Sequence, residues 1–224
     1  MLEDGSTPTC DTSGMLVIHG VLRSRFRALP ALVRSVHSED ADRVGVVAAH
    51  VLEFADLLHT HHETEDTHLW ETLETRAPAC ALHVQLMRAQ HQTVAELLTR
   101  VQSLVPEWSQ AGNPGLQERL AAALDDVNTA LGTHLGDEEA KILPVAAATM
   151  SQKEWDAFGD LGRKAVPKSR LLIQLGYVLD TITPSERSRW MRANLPAPVR
   201  GLYAVSGRRQ FTADYRRVYG TDPA

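Results

Sequence analysis

Residues 61–70 read HHETEDTHLW, and residues 134–144 read HLGDEEAKILP. In each stretch a glutamate follows a histidine by four positions, His61 with Glu65 and His134 with Glu138. Four residues is slightly more than one helical turn, so each pair shares one helix face. Working outward from the first pair, Val47, Val51, Phe54, Leu58, His61, Glu65, His68 and Thr72 alternate in steps of four and three, the signature of one amphipathic stripe. Around the second pair the same rhythm joins Leu120, Ala123, Val127, Leu131, His134, Glu138 and Ile142.

Two further stripes of the same kind flank these. One carries Met15, His19, Leu22, Phe26, Leu29 and Val33, with cap-forming Asp11, Thr12 and Ser13 before it and Pro30 inside it as a kink. The other runs Cys80, Val84, Met87, His91, Val94, Leu98, Val101 and Val105 to Pro106. Ser38-Glu39-Asp40 opens the second segment and Ala77-Pro78 closes it, while Gly112-Asn113-Pro114-Gly115 marks a loop before the fourth. Strand-like alternation is missing and aromatic residues make up only 5%. The expected fold is all-α: an antiparallel four-helix bundle over residues 11–148, followed by a helical C-terminal extension over residues 151–224 that docks on it.

Composition divides the chain at the same place. All ten histidines lie between His19 and His134, and all four tyrosines lie after residue 150. Residues 1–150 carry 10 Lys/Arg against 21 Asp/Glu, whereas residues 151–224 carry 13 against 7. The acidic first half offers no nucleic-acid footprint, and no apolar run approaches the roughly 20 residues of a membrane span. The N-terminal MLEDGSTPTC is acidic and polar, unlike a signal peptide. Cys10 and Cys80 form neither a CxxC nor a disulfide framework, so a cytoplasmic setting is expected.

Each of the four stripes therefore brings one histidine to the bundle interior: His19, His61, His91 and His134. Glu65 and Glu138 join them. Buried polar groups are costly unless satisfied, and four imidazoles with two carboxylates suit a pair of iron or manganese ions. Two anionic carboxylates between two dications offset their mutual repulsion. The reading without metal is a set of buried His–Glu pairs.

The order His19, His61-xxx-Glu65, His91, His134-xxx-Glu138, with the local wording HHETEDTHLW and HLGDEEAKILP, resembles the haemerythrin-like (HHE cation-binding) family over residues 11–148. The resemblance implies an oxo- or hydroxo-bridged centre of two iron ions, manganese being the lesser expectation. His19 and His61 would hold one iron, His91 and His134 the other, and Glu65 and Glu138 would bridge. Three positions depart from the oxygen-carrying members. Met87 stands where they place a histidine, Glu138 follows His134 by four residues rather than five, which resembles the bacterial non-haem di-iron type, and Glu71 stands where relatives often place proline. A thioether is a poor ligand for oxidised iron, so one protein ligand is expected to be missing, with open positions near Met87 and His68. That opening biases the expectation towards an oxidoreductase acting on dioxygen, peroxide or nitric oxide, with a small organic substrate as a further partner. The alternative is a non-catalytic binding, sensing or storage protein.

The remaining groups receive humbler expectations. Asp66 and Glu139 are placed to hydrogen-bond the outer nitrogens of ligand imidazoles. His59 and His62 flank the ligand face of their helix, as alternative ligands or, the favoured expectation, at its solvated edge, and His37, His50 and His83 are expected in solvent. Trp70 and Trp108 are expected to pack. A capped helix is expected over 151–164, with Glu154 completing a capping box.

Overall fold

The computed structural model describes residues 9–37, 39–111 and 113–223. Ser38 and Gly112, assigned above to a helix start and a loop, lie outside the described residues, as do residues 1–8 of the polar N-terminus. The described residues are helical almost throughout and contain no strand.

Four long helices form the bundle: α1 (Ser13–Arg34), α2 (Ala41–His68), α4 (Ala81–Ala111) and α5 (Pro114–Lys141). Each touches two of the others, in the ring α1–α2–α4–α5–α1. Two short helices extend the bundle. Helix α3 (Trp70–Arg76) follows α2 across Leu69, whose amide still bonds Glu65 O at 2.9 Å; α6 (Leu143–Thr149) follows α5 across Ile142 in the same way. A 3₁₀ turn, Pro78–Cys80, leads into α4.

The boundaries follow local chemistry. Asp40 caps α2 by accepting from Arg43 N at 2.9 Å. Asn113 accepts from Gly115 N at 2.7 Å ahead of Pro114, which has no amide to lose at the first helical position. At α1 the side chain of Asp11, not Thr12, takes up an orphan amide, that of Ser13 at 2.8 Å. Helix α4 runs past Pro106 to Ala111, further than its apolar stripe predicted. A proline removes one donor and strains one turn, a penalty that buried Val105 and Trp108 on either side outweigh.

Two apolar clusters fill the bundle, and they leave a layer between them. The larger includes Leu22, Phe26, Leu58, Val94, Leu131 and Leu135. The smaller includes Met15, Leu69, Trp70, Met87, Ile142 and Leu143. His19 falls between Met15 and Leu22, His61 between Leu58 and Leu69, His91 between Met87 and Val94, and His134 after Leu131. Every stripe therefore changes from apolar to polar and back at one level of the bundle.

The C-terminal segment forms α7 (Gln152–Ala165), α8 (Leu171–Asp180), α9 (Pro184–Asn194), α10 (Ala197–Leu202), a π-helical turn (Tyr203–Gly207) and α11 (Arg208–Tyr219). Ser151 and Glu154 form the capping box of α7. Tyr177, Phe211 and Val218 merge with the larger cluster of the bundle. Arg170 forks onto Glu53 of α2 (2.7 and 2.6 Å) and onto Asp214 of α11 (2.8 and 3.2 Å). Gly176 permits this packing, since a Cβ there would lie 2.2 Å from the Phe211 ring. No helix among the described residues is long and apolar enough to cross a membrane.

Candidate metal centre

The six residues His19, His61, Glu65, His91, His134 and Glu138 converge in the polar layer, and a seventh, His62, joins them. They form two groups of candidate ligand atoms, each within 4.8 Å of one another: His19, His61, Glu65 and Glu138, and His62, Glu65, His91 and His134. Glu65 belongs to both. Its Oε1 faces His61 Nε2 at 3.3 Å and its Oε2 faces His91 Nε2 at 3.4 Å. Glu138 Oε2 lies 3.3 Å from His19 Nε2 and 3.7 Å from His134 Nε2, so it too sits between residues of the two groups.

Outer hydrogen bonds fix which nitrogen points inward. His19 Nδ1 lies 2.9 Å from Glu139 Oε1, which also accepts from Arg23 at 2.6 Å. His91 Nδ1 lies 2.9 Å from Asp66 Oδ1, which Trp70 Nε1 also donates to at 2.6 Å. His134 Nδ1 lies 3.3 Å from Gln90 Oε1, and Gln90 is held in turn by Asp137 at 2.8 Å. These oxygens only accept, so each ring proton sits on Nδ1 and each Nε2 presents a lone pair to the interior. The partners foreseen at Asp66 and Glu139 are thus in place, and Trp70 both packs and steadies Asp66.

The interior is short of donors as a result. His91 Nε2 and His134 Nε2 lie 3.2 Å apart with both protons committed elsewhere. His19 Nε2, His61 Nε2, His62 Nε2 and all four carboxylate oxygens of Glu65 and Glu138 are buried without a hydrogen-bond partner among the described residues. Lone pairs turned towards one another repel, and unmet buried polar groups cost about 1–3 kcal/mol each. A cation shared between them converts that repulsion into bonding. The donor set, imidazole nitrogen and carboxylate oxygen, fits iron or manganese ions.

Burial prepares the same state. Desolvation drives the imidazoles of His61 and His62 well below the usual range, His19 to about 4 and His134 to about 3. They stay neutral, the form that binds metal. Desolvation also raises Glu65, with the Glu138 carboxylate adding repulsion, and it raises Glu138 itself, with Glu139 adding to it. Each therefore favours holding a proton until a cation displaces it.

Three expectations need correction. His62 is buried at 5% exposure, not at a solvated edge. The reason is that α2 faces two neighbours. Val44, Ala48, Val51, Ala55, Leu58, His62 and Glu65 form a second buried stripe beside the first, so consecutive residues His61 and His62 both face inward, some 100° apart. The doublet His61-His62 and the apolar residues four and three positions apart behind it were the available signal. Secondly, His68 is exposed on a shallow surface groove with Glu71 and Arg76, because at the last residue of α2 burial has passed to Leu69 and Trp70. Met87 is fully buried in the smaller apolar cluster, in keeping with its place on the core stripe. Thirdly, His50, expected in solvent, is buried, with Nε2 at 2.9 Å from the hydroxyl of Tyr219 on α11. His37, His59 and His83 are exposed.

Residues 12–146 match the family model described as the Hemerythrin HHE cation binding domain. No curated protein and no solved structure matches the chain.

Proposed function

Since the chain belongs to the hemerythrin HHE cation-binding family, we propose that it is a non-haem di-iron protein that reacts with dioxygen, peroxide or nitric oxide as an oxidoreductase. The observation that carries this reading is the pair of ligand groups sharing Glu65, with seven buried, unpartnered donor atoms turned inward. In it, His19 and His61 would hold one iron, His62, His91 and His134 would hold the other, and Glu65 and Glu138, placed between the two groups, would serve both. Iron in such a ligand set supplies one- and two-electron exchange with small oxygen or nitrogen ligands.

The chain's own residues set the terms of that chemistry. The two groups are unequal: one offers two imidazoles, the other three. Two imidazoles with carboxylates would leave an ion more room for an incoming ligand than three, so in this reading the side of His19 and His61 would take it. Glu139, Asp66 and Gln90 hold three imidazoles in one tautomer and orientation. Glu65 and Glu138 hold protons at their carboxylate oxygens and release them as the site fills. The apolar clusters above and below exclude water.

A second reading, reversible binding for sensing or storage, is favoured by His62. It restores a third imidazole to one group and so removes the vacancy expected from Met87. Rapid mixing of the anaerobic, di-ferrous protein with dioxygen separates the two. Irreversible oxidation with continuing consumption of a reductant supports the oxidoreductase, and a stable complex reversed by removing dioxygen rejects it.

A further inference from the structure

The two ligand groups are nearly sealed from solvent, with apolar side chains above and below the layer. A dication cannot cross those clusters without losing its water for nothing in return. It needs a path on which protein donors replace water stepwise. A groove of about 260 Å³ between α2 and α4 reaches the layer from the surface, lined among others by His59, Glu63, Asp66, Arg88, His62 and His91.

The lining is ordered by depth. His59 and Glu63 are exposed at the mouth, four residues apart on one face of α2. Asp66 comes next, with its side chain 42% exposed and its Oδ1 on His91 Nδ1. His62 and His91 are the buried floor, at 5% and 3% exposure, and both belong to the second ligand group. His62 differs from His19, His91 and His134 in having no hydrogen-bond partner among the described residues, so both its ring nitrogens are uncommitted, while stacking on His91 holds the ring. Arg88 is the one cation of the lining, drawn towards Glu74 at 3.3 Å. The groove over His68 and Arg76 touches none of the ligand residues.

We propose that the α2–α4 groove is the route by which a divalent metal ion reaches the buried centre, with His59 and Glu63 as a transient capture site at its mouth and Asp66 passing the ion to His62 and His91. This route rests on the metal-binding reading above. Donors at the mouth raise the local concentration of a dication, and the Arg88 guanidinium lowers it.

The test uses the metal-free full-length chain mixed anaerobically with Co²⁺, whose visible absorption reports both the rate of uptake and the final ratio. The double variant His59→Ala/Glu63→Gln is expected to load on the order of tenfold more slowly, the scale on which charged lining groups change the arrival of an ion, with final ratio and spectrum unchanged. Arg88→Ala is expected to load faster. Glu107→Gln, which removes an exposed charge near the far end of α4, is expected to load at the wild-type rate. Equal rates in all four proteins with full uptake would overturn the route alone. Slowing by Arg88→Ala would do the same. No uptake by the wild-type chain would overturn both the route and the reading beneath it.

Discussion

His62 stacks on His91 with ring centroids 4.1 Å apart and planes 10° from parallel. Two imidazolium cations do not stack at that distance inside an apolar bundle, so at least one of the rings is neutral. His134 meets the same pair edge-on, 4.7 Å from His62 and 4.6 Å from His91. Three imidazoles from three helices thus crowd one side of Glu65, which is why His62 is read as a ligand and not as filling.

Replacing His62 with alanine tests that assignment. The fold is expected to persist, since α2 keeps its apolar contacts on both stripes. One ion is expected to bind as in the wild type, and the other at least about tenfold more weakly, since even the loss of a partner outside the ligand shell costs that much. Titration with Co²⁺ followed by absorption would show one tight and one weak step. Two unchanged steps would remove His62 from the ligand set.

Glu65→Leu should separate stability from function. Without metal, both Glu65 oxygens are buried and unpartnered. An apolar side chain of similar volume relieves that cost, so the metal-free variant is expected to unfold about 1–3 kcal/mol less readily than the wild type. The same change removes the residue shared by both ligand groups, so added metal should raise the unfolding temperature less than in the wild type. Thermal melts with and without Co²⁺ decide both halves, and a destabilised metal-free variant would contradict the first.

Metal uptake should release protons. Burial raises Glu65 and Glu138 above the ordinary carboxylate range, so at neutral pH the pair holds protons that a dication must displace. Loading at pH 7 in weak buffer is expected to liberate roughly one to two protons per chain, and affinity should fall as the pH is lowered. An indicator dye measures the release. Uptake without acidification would show that the carboxylates were already ionised.

Acid should loosen the contact between α2 and α11. His50 lies under Tyr219, and burial holds it at about 3 against an ordinary 6.5; Asp214 opposes that shift, and Arg25, Arg170 and Arg217 add to it. Below pH 6.5 the unfolded chain takes up the proton that folded His50 refuses. Its contribution to stability is complete above 6.5 and is lost as the pH falls towards 3, at about 1.4 kcal/mol per pH unit. Chemical unfolding of the wild type should therefore steepen with acid relative to His50→Gln. Parallel curves would contradict this account.

Most of the bundle was legible because a buried face leaves a period. The alternating steps through His19, His61, His91 and His134 placed four helices and one histidine from each at a common level. What the stripes hid was their width. His62 and His50 both lie on α2 beside the first stripe, and each is buried by a neighbour that one face of one helix does not reveal: α4 over His62, and α11 over His50. At Met87 too, the stripe shows only its own helix, whereas His62 reaches the same layer from α2. The reverse error at His68 arose because a stripe carries no mark of where its neighbours end.

The central claim is a pair of metal ions in one buried layer. Elemental analysis after anaerobic loading with Fe²⁺ and removal of excess metal tests it most directly. Two irons per chain are expected, falling to one or fewer in Glu65→Leu. A wild-type chain that retains fewer than two irons, or a Glu65→Leu chain that still retains two, would contradict it.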